Sequence, residues 1–231
     1  MAVLFDRIVI AVPNLKAALT QYELLLGTPF WPRTNAHSVP TAWIALANTV
    51  LELQEQPVTH PTIAGFVLRD ESTVRYVEIP NDRNVLIGVC DGSATRQFRT
   101  ELGGADKTGL KVDHLVLHTA NAEACINVFE KRLGLRLALD KDVPKWGGRM
   151  LFFRSGKLTL EVIEPRENKP EQDYFWGIAY QCADIDQLTA RLKDQHVAVS
   201  SVRDGRKPNT KVATVKSHHL DIPTLLVQAA P

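Results

Sequence analysis

An internal repeat constrains this sequence more than any other feature. The run Asp6-Arg-Ile-Val-Ile-Ala-Val is matched by Asp113-His-Leu-Val-Leu-His-Thr at an offset of 107 positions. Further on, Thr49-Val-Leu-Glu-Leu is matched by Leu158-Thr-Leu-Glu-Val at an offset of 109, which places a two-residue insertion in the loops between the two matches. A repeat of this size indicates a duplicated supersecondary unit, and therefore two related halves of the chain.

Each copy of the repeat predicts the same order of elements. A β-rich run begins each copy, and apolar residues at helical spacing then predict a helix that ends at Gly27 or Gly134. Two more β-rich runs follow. The predicted strands are 5–12, 41–47 and 49–54 in the first copy and 112–119, 149–154 and 157–163 in the second. The unit is therefore β-α-β-β, with room for one more strand in the loop.

Two weaker units complete the chain. One has a predicted strand at 174–182, a helix at 184–196 capped by Asp184, and closing strands at 212–215 and 224–228. The other has a strand at 84–90 and a helix at 93–102, and its remaining strands could come from β-rich runs within 62–79. Four units predict two α+β domains, residues 1–108 and 109–231.

The charge balance and the cysteines exclude several classes of protein. The formal net charge is +1, from 27 Lys and Arg against 26 Asp and Glu, whereas nucleic-acid binders usually carry a clear basic excess. The three cysteines have no metal-binding spacing, which fits a reducing compartment. No run approaches the ~18 apolar residues of a membrane span. We expect a cytoplasmic protein with neither a nucleic-acid nor a membrane partner.

The repeated runs resemble a known family. Asp113-His-Leu-Val-Leu, a helix ending in Phe129-Glu-x-x-Leu-Gly, and Leu158-Thr-Leu-Glu-Val are similar to the βαβββ module of the vicinal oxygen chelate superfamily. That superfamily includes glyoxalase I, bleomycin-resistance proteins and extradiol dioxygenases. The resemblance covers residues 3–56, 111–165 and 174–228, and it implies tandem βαβββ modules that form two glyoxalase-like domains with cupped mixed sheets.

The resemblance also implies a metal site in the cup. In the superfamily a divalent metal is held by a His or Gln on the first strand and a Glu on the last strand of the paired modules. His114 and Glu161 match these positions, and His219 is a candidate third ligand. Gly177 and Leu226 stand at the corresponding places of the last module and cannot ligate. The implied cofactor is one divalent metal (Fe, Mn, Zn or Ni), or none.

In the first module the match departs from the family pattern. Arg7 replaces the His, while Glu52 keeps the Glu position. An inward-facing Arg needs a carboxylate partner, so we expect an Arg7–Glu52 ion pair, with a substrate clamp as the alternative.

Other residues are candidates for catalysis or substrate binding. His118 lies on the same strand face as His114, but about 13 Å away, so it is predicted to act beside Glu161 in catalysis rather than on the same ion. Gln181 is predicted to line the cup. Arg203 and Arg206 lie in a basic segment that is either a solvated hairpin or a loop that attracts an anionic substrate. The four Trp residues either wall a cavity or pack the sheets.

Two hypotheses of function remain open. The first is a metal-assisted lyase, isomerase or dioxygenase that acts on a small molecule with vicinal oxygens. The second is a metal-free protein that binds or sequesters a small molecule, as bleomycin-resistance proteins do. Expected partners are a small-molecule ligand and a second copy of the chain in a homodimer.

Overall fold

The computed structural model describes residues 3–34, 39–103, 109–144, 147–216 and 221–229. The first half forms a seven-stranded mixed sheet in the order β2-β3-β4-β1-β5-β7-β6. Its elements are β1 Leu4–Val12, α1 Leu15–Leu26, β2 Trp31–Thr34, β3 Pro40–Ala45, β4 Val50–Glu55, β5 Thr62–Arg69, β6 Val77–Glu78, β7 Leu86–Cys90 and α2 Ser93–Glu101.

The second half forms an eight-stranded mixed sheet in the order β13-β14-β15-β12-β8-β11-β10-β9. Its elements are β8 Lys111–His118, α3 Ala122–Cys125 continued by a π-helical segment Ile126–Arg132, β9 Arg136–Val143, β10 Gly148–Ser155, β11 Leu158–Pro165, β12 Tyr174–Gln181, α4 Ile185–Asp194, β13 Arg203–Asp204, β14 Thr210–Val215 and β15 Thr224–Ala229. This half therefore contains two complete βαβββ modules, joined where β8 and β12 pair antiparallel. The predicted α+β class with cupped mixed sheets is confirmed.

The repeat is visible in the helix ends. Asn14 and Asn121 stand 107 positions apart, and each accepts a hydrogen bond from the backbone N–H three residues later. Gly27 and Gly134 end the two helices in the left-handed conformation, with φ of 72° and 73°. The predicted cap at Asp184 is confirmed, since its side chain accepts from the backbone N–H of Gln187.

The second module has a different order from the other three. β5 runs to β6 without an intervening helix, β7 then pairs parallel with β5, and α2 follows β7. The strand and helix predicted at 84–90 and 93–102 are confirmed as β7 and α2, and β5 and β6 lie within the β-rich stretch 62–79. Because α2 follows the last strand of its module, it can pack on a different face of the sheet from the helices of the other modules.

The two sheets share one hydrophobic core. One alternate set of strand residues from each sheet, such as Ile8 and Leu160, joins helix residues in a single cluster. The ring of Phe66 in β5 lies 6.0 Å from that of Phe129 and 6.1 Å from that of Phe175, so the core crosses between the halves. The sheet faces turned away from this core are called the N-terminal cup and the C-terminal cup below.

A buried ion pair also joins the halves. Arg83 donates to Asp173 at 2.5 Å and to the hydroxyl of Thr119 at 2.7 Å. All strands of the first sheet precede residue 108, and all strands of the second sheet follow it. The predicted domain boundary itself stays a prediction. Within the described residues no helix is long and apolar enough to cross a lipid bilayer.

Candidate functional site

A β-bulge at the start of β8 shapes the C-terminal cup. Pairing of β8 with β12 shifts between Val112 and His114, so Asp113 is an extra residue in the ladder. The bulge turns the Asp113 carboxylate toward the imidazole of His114, and Oδ2 lies 2.8 Å from Nδ1. Sequence analysis missed Asp113 as a site residue. The signal was present, because Asp6 occupies the same place in the first copy and the pairing of β1 with β5 shifts there too.

Glu161 completes a cluster with these two residues. Its Oε1 lies 3.8 Å from Nδ1 of His114, because β11 runs parallel beside β8. The side chains of His114 and Glu161 are 17% and 22% exposed, so both are reachable from solvent. Since Nδ1 is engaged by Asp113, Nε2 is the ring nitrogen that can face a ligand. The structure thus brings together the predicted pair His114 and Glu161.

Two of the three groups in the cluster, His114 and Glu161, hold their protons more tightly than isolated side chains would. Burial disfavours the charged imidazolium, but the hydrogen bond to Asp113 and the charges of Glu161 and Asp113 together raise the pKa of His114. Burial raises the pKa of Glu161 as well, with partial opposition from His114. The hydrogen bond from His114 lowers the pKa of Asp113. An imidazole with a raised pKa beside a carboxyl group with a raised pKa provides a proton donor and a proton acceptor in one place.

Exposed cations surround this cluster. Strand register places Arg154 opposite Thr159, which is opposite His114, so Arg154 lies in the same cross-strand row. Sequence analysis missed Arg154, because the pairing of β10 with β11 had to be known to place it. Arg206 is near enough to lower the pKa of Glu161. Arg203 instead donates to the hydroxyls of Ser200 and Thr214, each at 3.3 Å.

An aromatic surface lies at the other end of the cup. The ring of His118 is 5.3 Å from that of Tyr174 and 6.2 Å from that of Trp176, with interplanar angles of 34° and 30°. The Tyr174 hydroxyl is 3.4 Å from Nδ1 of His118, and burial lowers the pKa of this histidine. We call these three residues the aromatic shelf. In the described part of the chain, His118 contacts Tyr174 and Trp176 rather than the His114 cluster. Its catalytic role stays a prediction.

At the first-strand position that His114 holds in the third module, the fourth module has Gly177. Gly177 lies opposite Val116, and a Cβ added there would be 2.5 Å from the carbonyl oxygen of Pro223. Gly65 is equally confined in the N-terminal sheet, where an added Cβ would be 1.8 Å from the oxygen of Leu86. No ligating side chain fits at either position.

One detail of the predicted alignment is wrong. Leu226 does not line the cup, because it is fully buried in the shared core. Leu225 is the residue that lies beside Ala179 on the cup face. The pairing of β15 with β12 therefore differs by one position from the sequence alignment. The conclusion that this module offers no ligand at the last-strand position is unchanged.

The described residues do not complete a metal site. His114 and Glu161 offer two donors, whereas a protein-bound metal of this kind ordinarily takes three or more. No group of three His, Cys, Asp or Glu within the described ranges is arranged to hold an ion. His219, the predicted third ligand, falls in residues 217–220 and so outside those ranges.

The N-terminal cup is closed at the corresponding place. The predicted ion pair is confirmed, since Nε of Arg7 lies 2.5 Å from Oε2 of Glu52, and Arg7 also donates to Asp6 at 2.9 Å. The guanidinium lies 5.5 Å from the ring of Trp43 and 5.8 Å from that of Tyr76. Glu52 is only 3% exposed. A role for Arg7 and Glu52 in substrate binding stays a prediction.

Helix α2 covers this cup. Phe98 packs edge to face on Trp43 with ring centroids 5.5 Å apart, and the hydroxyl of Thr95 donates to Asp6 at 2.5 Å. Arg99 donates to two backbone carbonyls at the turn between β3 and β4. The unusual order of the second module therefore places a helix where the other half has an open face.

The remaining predicted residues lie at the margins. Gln181 is at the end of β12, opposite Lys111, and its role in the cup stays a prediction. Trp43 packs the N-terminal cup, whereas Trp31 and Trp176 are exposed. Trp146 lies outside the described residues.

Comparison with known proteins agrees with this architecture. Residues 113–214 match the model of a glyoxalase/bleomycin resistance protein/dioxygenase superfamily. Over these residues the chain resembles the vicinal oxygen chelate superfamily. Members of the superfamily often bind a divalent metal. A search of curated proteins by sequence finds no significant match.

Solved structures are similar to this chain in fold. A variant of 4-hydroxymandelate synthase from Streptomyces coelicolor is 12% identical, with a TM-score of 0.72, and the match covers 100% of this chain and 94% of that chain. Methylmalonyl-CoA epimerase from Mycobacterium tuberculosis is 19% identical, with a TM-score of 0.43, over 52% of this chain and 88% of that chain. The first of these likenesses shows the two-domain fold.

Proposed function

We propose that the C-terminal cup binds a small molecule with two neighbouring oxygen atoms and transfers a proton on it. The observation that carries this proposal is the cluster of Asp113, His114 and Glu161 on an accessible face. The corresponding face of the other half is filled by Arg7 and covered by α2. Only a reachable acid–base pair can act on a ligand, which favours the second half as the active one.

The geometry supports a specific division of roles. Nε2–H of His114 donates to a substrate carbonyl oxygen, while Asp113 holds the ring in this orientation through Nδ1. The Glu161 carboxylate removes a proton from the carbon beside that carbonyl, and the electron pair moves onto the oxygen as an enolate. The imidazolium and the cations Arg154 and Arg206 face the resulting negative charge. Return of a proton to the same carbon gives exchange with solvent, and return from the opposite face inverts that carbon where it is a stereocentre.

Exchange of carbon-bound protons with solvent tests this proposal. 2-Oxobutyrate in D₂O carries vicinal oxygens and exchangeable C3 protons, and its C3 signal is followed by proton NMR. We expect the protein to accelerate loss of this signal. The variants His114→Gln and Glu161→Gln should each lower the rate by about 100-fold or more, the usual size of a general acid–base contribution.

Two controls make the result specific. His60→Gln and Glu167→Gln change exposed residues of the same types and should leave the exchange rate unchanged. Butanone, which has a single carbonyl oxygen, should exchange more slowly than 2-oxobutyrate. Exchange no faster than in buffer, or exchange that survives both site variants, would contradict the proposed chemistry.

The metal implied by the superfamily is a separate question. His114 and Glu161 would be its two described ligands, and His219 the predicted third. Elemental analysis of protein purified without chelator tests this directly. A stoichiometric Fe, Mn, Zn or Ni that disappears in His114→Gln would support a metal site, and no metal after incubation with each ion would overturn it.

The aromatic shelf favours a second candidate function. Two half-exposed aromatic side chains beside an acid–base cluster also suit a protein that binds and sequesters a small molecule without turnover. Saturable binding of a ligand that is recovered chemically and isotopically unchanged would favour this candidate over catalysis.

A further inference from the structure

The aromatic shelf is not used by the proton-transfer cluster. Tyr174 and Trp176 are 45% and 50% exposed, although large aromatic side chains are usually covered in a folded chain. The pairing of β12 with β8 shifts between Phe175 and Gly177, so Trp176 sits in a bulge that turns it toward His118. Bulges near binding sites commonly re-aim a side chain in this way.

The shelf and the cluster lie on the same face of the sheet. His118 is opposite both Tyr174 and Ile163, and it has the same strand parity as His114. Trp176 is three residues before Ala179, which lies opposite His114. At about 3.3 Å per residue, Trp176 is roughly 10 Å from Ala179 along the strand, and His118 with Tyr174 is about 13 Å from His114, which is on the order of the length of a two-ring carboxylate.

Charge differs between the two ends of this face. The shelf consists of two neutral aromatic side chains and a histidine whose neutral form is favoured by burial. At the cluster, Arg154 and Arg206 both act on Glu161, and Lys207 acts on Asp113. A ligand matched to both ends is flat and apolar at one end and anionic at the other.

We propose that the ligand of the C-terminal cup is a planar aromatic carboxylate, whose ring stacks on Tyr174 and Trp176 while its carboxylate faces the cations beside Glu161. This inference rests on the proposed function, since it takes the same cup as the binding site. It adds the substrate class and two residues, Tyr174 and Trp176, that set specificity. Stacking of flat rings in offset or edge geometry is the physical basis of the selection.

Three small-molecule ligands test the aromatic end and the charged end of the cup separately. 2-Naphthoate has a flat two-ring system and a carboxylate. Cyclohexanecarboxylate keeps the charge without an aromatic ring, and 2-naphthalenemethanol keeps the rings without the charge. Titration calorimetry should give 2-naphthoate an affinity about tenfold higher than that of either partner probe.

Variants assign the binding to the shelf. Trp176→Leu should weaken 2-naphthoate binding by about tenfold and leave cyclohexanecarboxylate unchanged. Trp31→Leu is the matched control, because Trp31 is 47% exposed on the other sheet, and it should change neither affinity. His114→Gln should weaken the binding of both carboxylates, because it alters the cluster that both of them contact.

The outcomes distinguish the two proposals. If both carboxylates bind equally and Trp176→Leu has no effect while His114→Gln weakens them, the shelf is overturned and the cup remains. If neither carboxylate binds, or if binding ignores both Trp176→Leu and His114→Gln, the aromatic-carboxylate proposal is overturned. The proton-transfer proposal is then decided by the exchange of 2-oxobutyrate, which does not depend on these probes.

Discussion

At the residue scale, one inserted aspartate decides how His114 behaves. Asp113 lies next to it in the chain, yet the bulge lets the two side chains meet on one face at 2.8 Å. In an unbroken strand, neighbouring side chains point to opposite faces. His114 and His118 share a strand face but sit in different surroundings, with acids around the first and aromatic rings around the second.

These surroundings predict opposite titrations for the two histidines. The pKa of His114 should lie above the ordinary value of about 6.5 and that of His118 below it. A histidine with a raised folded pKa stabilises the fold while protonated. That contribution is complete below the unfolded pKa and is lost as pH rises through the folded pKa.

Ring proton NMR over pH 5 to 9 checks both values. Asp113→Asn removes the negative charge and leaves only a neutral amide oxygen as acceptor, so it should lower the pKa of His114 and leave that of His118 in place. Inflections of both rings at the ordinary value, unmoved by Asp113→Asn, would show that the cluster is not formed.

At the element scale, α2 distinguishes the two halves. In three modules the helix follows the first strand and packs into the shared core. In the second module it follows β7 and packs on the N-terminal cup through Phe98, which is 1% exposed. The cluster of Trp43, Ala45, Val50 and Phe98 is a satellite core under this helix.

Truncation of Phe98 tests this placement. Phe98→Ala should lower the free energy of unfolding by about 3 to 5 kcal/mol, because it empties a fully packed site. Gln97→Ala, on the exposed side of the same helix, should change it by less than about 0.5 kcal/mol. Urea denaturation measures both, and equal effects from the two variants would contradict the packing of α2 on the cup.

The sequence predicted elements well where local signals were strong. Strand patterns, capping residues and the two helix-ending glycines located β1, α1, β8, β11 and β12 within a few residues. It allowed for a strand in the loop before β10 but gave no bounds for it, because most residues of β9 are exposed and the usual alternation of buried and exposed positions is weak. It missed the two-residue strand β13. The order of the second module depends on long-range pairing, for which local patterns carry no signal.

The candidate site was predictable only in part. His114 and Glu161 follow from the repeat and the family resemblance, and the ion pair of Arg7 with Glu52 follows from charge burial. Asp113 and Arg154 did not emerge, because the first depends on a bulge and the second on strand register. Trp176 was predicted either to wall a cavity or to pack the sheet, and only the bulge in β12 shows which way it faces.

At the scale of the whole molecule, one duplicated fold has two unequal cups. The shared core and the Arg83–Asp173 pair hold the two sheets together. The half with the covered N-terminal cup therefore stabilises the half with the open C-terminal cup. In the N-terminal cup a guanidinium occupies the place that His114 holds in the other. Ligand binding is therefore assigned to the C-terminal cup alone.

The most direct test of that assignment is a chemical-shift map of the bound protein. 2-Oxobutyrate is titrated while the histidine ring and tryptophan indole signals are followed by NMR, with assignments made by single substitutions. The account predicts saturable shifts of His114, with the indole of the buried Trp43 unchanged. Shifts of Trp43 without a shift of His114 would place the ligand in the N-terminal cup and contradict it.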